Sequence, residues 1–166
     1  RYQQQKEIQE YSEAIRLKPN DAEAYFNRGN AYSRIDRNEN AIQDLTEAIR
    51  LKPDYVEAFN NSGNIYGRHG QYQLAIDDFN QVIAIQSDYV KAYNNRGMAY
   101  SALEQHQKAI EDFSRAIQMK PNYVSAYLNR ADAYLKQGHT VAGCRDAEKA
   151  CKLGDCSLTQ ALKAQG

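Results

Sequence analysis

The stretch "FNRGNAY" spans Phe26–Tyr32, and altered copies follow: "NNSGNIY" at 60–66, "NNRGMAY" at 94–100 and "LNRADAY" at 128–134. The second residue is asparagine in every copy (Asn27, Asn61, Asn95, Asn129). Asparagine forms helix only moderately well, yet each copy sits inside an apparent helix. The copies recur every 34 residues. A fixed interval of that length is the signature of a repeat architecture.

Other residues keep the same beat. Gly29, Gly63 and Gly97 fall on it, as do Tyr32, Tyr66, Tyr100 and Tyr134. Ala41, Ala75 and Ala109 follow, and so do Pro19, Pro53 and Pro121, with Ser87 and Asp155 in the remaining slots. The grid predicts four full repeats in one domain: 22–55, 56–89, 90–123 and 124–157. Residues 1–21 match the second half of a preceding repeat, and 158–166 read as the start of a capping helix. The chain opens inside a helical pattern, as expected of a segment of a longer protein.

Each repeat divides into two helical patterns. In the second, helix A carries Phe59, Gly63 and Tyr66 on one face. Helix B carries Ala75, Ile76, Phe79 and Ile83, again at i, i+3/i+4 spacing. Gly70 between them suits a left-handed helix end. That slot holds Gly138 in the fourth repeat but Asp36 and Glu104 in the first and third. Small residues (Gly29, Gly63, Gly97 and Ala131 on helix A; Ala48, Val82, Ala116 and Ala150 on helix B) allow close approach of the pair. The Asp or Asn after each proline is expected to cap the next helix A.

Bulk properties exclude several classes. The 166 residues carry 21 Lys plus Arg against 21 Asp plus Glu, so no net charge draws the chain to nucleic acid or anionic lipid. No apolar run nears the roughly 18 residues of a membrane span, so membrane insertion is not expected.

The pattern closely resembles the tetratricopeptide repeat family. It shows an aromatic at repeat position 4 (Tyr25, Phe59, Tyr93, Tyr127), glycine at 8, tyrosine at 11, alanine at 20, an apolar residue at 24, a small one at 27 and proline at 32. The resemblance covers nearly the whole chain. It implies an all-α fold, a right-handed superhelical solenoid of helix-turn-helix repeats, with helix A lining a concave groove.

Two departures from the family pattern point to chemistry. Position 7, usually leucine in the family, is Arg28, Ser62, Arg96 and Arg130, and position 23 is Asp44, Asp78, Asp112 and Asp146. A guanidinium facing a carboxylate forms a bidentate fork. The pairs Arg28–Asp44, Arg96–Asp112 and Arg130–Asp146 are therefore expected to clasp helix A to helix B. The competing reading has the arginines bind an anionic ligand. Ser62 breaks the row, which leaves Asp78 to turn to Arg96.

The amide row is a separate feature, since asparagine at position 6 is common in the family. By the resemblance, positions 2, 5, 6, 9, 12 and 13 face the groove. They place Asn27, Asn30, Asn61, Asn64, Lys91, Asn95 and Asn129 there. An asparagine amide both donates and accepts, so it can hold a peptide unit at its C=O and N–H. Helices pack roughly 8–10 Å apart and an extended chain rises about 3.3 Å per residue. One asparagine per repeat then grips a backbone amide about every third residue. The row resembles the asparagine ladder of the O-linked N-acetylglucosamine transferase repeat domain. Solvated surface amides are the competing reading. The family's carboxylate clamp for acidic tails fits less well. Its five places hold Phe26, Asn30, Asn61, Lys91 and Asn95, and two of the three cations are missing.

No catalytic site is expected. His69, His106 and His139 fall in or near turns of different repeats, and no nucleophile–base motif, phosphate loop or dinucleotide fingerprint is present. No metal or cofactor is expected: no histidine keeps ligand spacing with Cys144, Cys151 or Cys156. A Cys151–Cys156 disulfide across the Gly154 turn is left open. The expected function is a non-catalytic protein–protein interaction module holding an extended peptide. The alternative is a self-associating scaffold. There, Ile8, Tyr11 and Ile15 of the first half-repeat are covered by a second copy, giving a homodimer.

Overall fold

The computed structural model describes residues 2–164, which form ten α-helices and no strand among those residues. They divide into two compact units, the first ending at Ser87 and the second beginning at Asp88. Among the described residues no helix is long and apolar enough to cross a membrane.

The first unit contains α1 (Tyr2–Leu17), α2 (Ala22–Arg34), α3 (Asn38–Leu51), α4 (Val56–Arg68) and α5 (Tyr72–Ile85). Helices α2 and α3 form one antiparallel hairpin and α4 and α5 the next. Helix α1 packs on α2, and α3 packs on α4. The second unit repeats the plan with α6 (Val90–Ala102), α7 (His106–Met119), α8 (Val124–Lys136), α9 (Thr140–Lys152) and α10 (Ser157–Ala164). Here α6/α7 and α8/α9 are the hairpins, α7 packs on α8, and α10 lies on α9.

Small residues sit where helices cross. Ala41, Ala75 and Ala109 are fully buried, as are Ala48, Val82, Ala116 and Ala150. Leu45, Phe79 and Phe113 fill the space inside their hairpins and are among the largest fully buried side chains. The glycines opposite them are a steric requirement. A Cβ on Gly97 would lie 2.7 Å from the Phe113 ring, whereas one on Gly29 would lie 3.2 Å from the smaller Leu45.

All four hairpin turns use the same left-handed residue, whatever its identity. Its φ is 61° at Asp36, 73° at Gly70, 57° at Glu104 and 79° at Gly138. For Glu104 this conformation costs energy that glycine avoids. The hydrogen bond from the following backbone N–H to the tyrosine carbonyl recurs in each turn: Arg37 to Tyr32, Gln71 to Tyr66, Gln105 to Tyr100 and His139 to Tyr134.

The helix starts depart from expectation. Asp21 caps α2, its carboxylate accepting from the backbone of Glu23 and Ala24. In the later repeats the N-cap position belongs to Tyr55, Tyr89 and Tyr123, with no side-chain cap bond. The acidic or amide residue there stands one place too early, so α4, α6 and α8 begin on backbone bonds alone. At the far end, Cys151 and Cys156 form a disulfide, their Cα atoms 4.0 Å apart. Asp155 is held below its ordinary pKa by hydrogen bonds from the side chain and then the backbone N–H of Ser157, at the start of α10. Thr159 donates to the Ala147 carbonyl, fastening α10 to α9.

Candidate functional site: arginine forks and an asparagine face

The guanidinium of Arg28 forks onto Asp44, with Nε 2.7 Å from Oδ2 and Nη2 2.7 Å from Oδ1. Arg96 meets Asp112 at 2.8 and 2.7 Å, and Arg130 meets Asp146 at 2.7 and 2.9 Å. The carboxylates are deep: Asp44, Asp112 and Asp146 are only 5–6% exposed. The carboxylate partner raises the pKa of each arginine, against the opposing effect of burial.

Two further contacts complete the arrangement. Each guanidinium lies between the tyrosines at repeat positions 4 and 11, its carbon 5.7–5.9 Å from each ring centre: Tyr25 and Tyr32, Tyr93 and Tyr100, Tyr127 and Tyr134. This distance allows cation–π attraction. Arg28 Nη1 donates to Ser12 Oγ of α1, and Arg130 Nη1 donates to Ser114 Oγ of α7. Both serines in turn donate to a carbonyl four residues back, Ile8 and Ile110. Each of these arginines therefore ties its own hairpin to the preceding helix. The signal was in the sequence, because Ser12, Thr46, Asn80 and Ser114 share the 34-residue beat.

The second repeat differs. Arg96 directs its fork to Asp112. Asp78 takes a hydrogen bond from Ser62 of its own hairpin. Its Oδ2 atom is buried without a hydrogen-bond partner. Burial pushes the Asp78 carboxyl up to about 6, the Ser62 bond opposes this, and the neighbouring Asp77 charge adds to it. In the unfolded chain the same group titrates near 4. The folded protein thus holds this proton more tightly. The stability this contributes is fully present below about pH 4 and is lost as pH rises through about 6. Asp78→Asn is expected to be more stable than wild type at pH 7.5, by on the order of 1 kcal/mol. The two proteins should converge towards pH 4. Urea unfolding across that range checks both the sign and the window.

The asparagines engage one another. In the first unit Asn61 Nδ2 donates to Asn30 Oδ1 at 2.7 Å, and Asn60 Nδ2 donates to Asn61 Oδ1 at 3.3 Å. In the second unit Asn129 Nδ2 donates to Asn94 Oδ1 at 3.1 Å, and Asn94 Nδ2 to Asn95 Oδ1 at 3.3 Å. The middle of the chain is Asn61 in the first unit and the buried Asn94 in the second, and the buried Asn60 stands at an end of its chain. Asn27, Asn30, Asn61, Asn64, Asn95 and Asn129 are half-buried, and Lys91 is exposed. Among the described residues no group of three or more His, Cys, Asp and Glu side chains could hold a metal ion.

Comparison with known proteins agrees with the fold of helical hairpins. A tetratricopeptide repeat model matches residues 90–123, and a TPR repeat model matches 8–36, 35–70 and 63–103. Neither is the model of an enzyme family. No match is found among curated proteins. Among solved structures, the crystal structure of MamA is 27% identical, with a TM-score of 0.85 over 96% of this chain and 90% of that one. The first TPR of Spaghetti (RPAP3), bound to the HSP90 peptide SRMEEVD, is 26% identical, with a TM-score of 0.69 over 70% and 93%. YrrB, described as a TPR protein with an unusual peptide-binding site, is 19% identical, with a TM-score of 0.85 over 99% and 84%, and resembles the chain in fold. With these repeat models matching well over half of its length, the chain belongs to the tetratricopeptide repeat family.

Proposed function

We propose that the first-helix face of these repeats holds an extended peptide by its backbone, with Asn27, Asn30, Asn61 and Asn64 as the rungs in the first unit and Lys91, Asn95 and Asn129 in the second. The observation that carries this reading is the state of Asn61. It spends one N–H on Asn30 and one lone pair on Asn60. An amide has two of each, so one donor and one acceptor remain on a side chain whose rotamer its neighbours already hold. Prior ordering lowers the entropy lost when a ligand is gripped. The RPAP3 relative, with its bound peptide, supports peptide recognition by this fold.

The forks give the arginines a structural role in this reading. Arg28, Arg96 and Arg130 are committed to carboxylates and are not the anchors of an anionic ligand. The carboxylate-clamp version is disfavoured because Phe26 and Asn95 stand where that clamp needs cations.

A peptide-library screen with wild type and the Asn61→Ala/Asn95→Ala double variant tests the reading. The double variant should bind the selected peptides at least about tenfold more weakly, the equivalent of one or two net hydrogen bonds. Unchanged affinity in a folded double variant would overturn it. The acidic peptide SRMEEVD should be a poor ligand of both proteins.

A further inference from the structure

We propose that the Cys151–Cys156 disulfide is a reducible lock on α10: oxidised, it holds the helix against α9, and a dithiol reductant releases it. The two cysteines flank a turn with little stiffness of its own. Three of the corresponding turns carry Pro19, Pro53 and Pro121, whereas Asp155 holds that place here and Gly154 beside it adopts a φ of 115°. Proline removes backbone freedom and glycine adds it. The covalent bond between α9 and the start of α10 supplies the restraint that proline supplies elsewhere.

The side chains of α9 make that restraint necessary. Helix α7 carries Ile110, Phe113 and Ile117 at three stations of the repeat, and α3 and α5 follow the same pattern. In α9 those stations hold Cys144, Ala147 and Cys151. Smaller side chains bury less apolar area and stabilise their contacts less. Helix α10 has eight residues, too few for a helix to persist alone in water. Its half-buried Leu158 and Leu162 share a face, and Thr159 bonds to the Ala147 carbonyl. Cys156 accepts the first backbone bond of the helix, from Gln160. The disulfide therefore anchors α10 at the end from which its hydrogen bonds begin.

Cys151 and Cys156 are half-buried rather than sealed in the core, so a thiolate can reach the bond. The thiolate of a small dithiol attacks one sulfur, the Cys151–Cys156 bond breaks and a mixed disulfide forms. The second thiolate of the reductant then displaces the cysteine and closes a disulfide within the reductant. Two electrons and two protons pass to the protein, which is left with two thiols. Cys144 is free but does not capture either of them. It lies seven residues before Cys151 on the same helix, about 10 Å along the axis, beyond the roughly 7 Å that a disulfide spans.

Amide hydrogen exchange of the oxidised protein, and of the protein reduced with millimolar dithiothreitol, is the test. The α10 amides should exchange at least about tenfold faster after reduction, while those of α8 keep their rates. Cys156→Ser should show the fast α10 exchange under both conditions. Reoxidation of the wild type with oxidised glutathione should restore the slow exchange. The lock uses none of the asparagines, so the Asn61→Ala/Asn95→Ala variant should respond to reduction as wild type does, which separates this proposal from the peptide reading above. Equal α10 exchange in the two states, a bond that dithiothreitol leaves intact in the folded protein, or an acceleration shared equally by α8 would each overturn it.

Discussion

Arg130→Ala is expected to destabilise the protein by about 3–5 kcal/mol, the usual consequence of leaving one member of a buried ion pair alone. Asp146 is 5% exposed and receives two hydrogen bonds from this one side chain. Ser114 loses a donor at the same time, and Tyr127 and Tyr134 lose the cation between them. The magnitude reflects the stranded carboxylate more than the worth of the pair. The double variant Arg130→Met/Asp146→Leu should therefore recover most of the loss, because an apolar pair of similar volume often does as well as a buried salt bridge. Denaturant unfolding of the three proteins checks this. A double variant as unstable as Arg130→Ala alone would show that the fork itself, not the orphaned charge, carries the energy.

Phe113→Ala is expected to cost about 3–5 kcal/mol as well, for a different reason. The ring is fully buried, and Gly97 exists in its present form only to admit it. Truncation leaves a cavity that the backbone of α6 cannot fill, since a glycine has no side chain to move. Phe113→Leu should cost far less, about 1 kcal/mol, because the first repeat already runs with Leu45 in that station opposite Gly29. The same unfolding measurement reads both, and a difference between them of less than about 1 kcal/mol would contradict the packing account.

The helical hairpins were legible because their cause is periodic. Glycine, tyrosine and alanine return every 34 residues, and each return is one crossing of two helices. The arginine–aspartate fork was legible for the same reason: two residues sixteen apart that recur together must face each other across a hairpin. The remainder depended on rotamers. Whether Asn61 would offer both amide ends to a ligand or lend some to Asn30 turns on a side-chain torsion that no spacing encodes. Asp78 takes a hydrogen bond from a short neighbour, Ser62, which leaves its other oxygen without one, and no spacing encodes that choice. The caps at α4, α6 and α8 failed by a one-residue offset, which a composition-level rule does not resolve. Cys151 and Cys156 were near enough in sequence for a bridge, but only the turn at Gly154 brings their Cα atoms to 4.0 Å.

The serine beneath the arginine has a consequence for how such an array comes apart. A repeat protein behaves as a row of units whose joint melting depends on the coupling between neighbours as well as on each unit's own stability. Through Ser12 and Ser114, the guanidinium of one hairpin holds the helix before it. The clasp is thereby a coupling constant between neighbours in addition to an internal brace. Where Ser62 replaces the arginine, α3 and α4 meet without that tie. The α3–α4 junction is thereby a built-in place for the first unit to part, and a single residue there sets how strongly its neighbours are coupled.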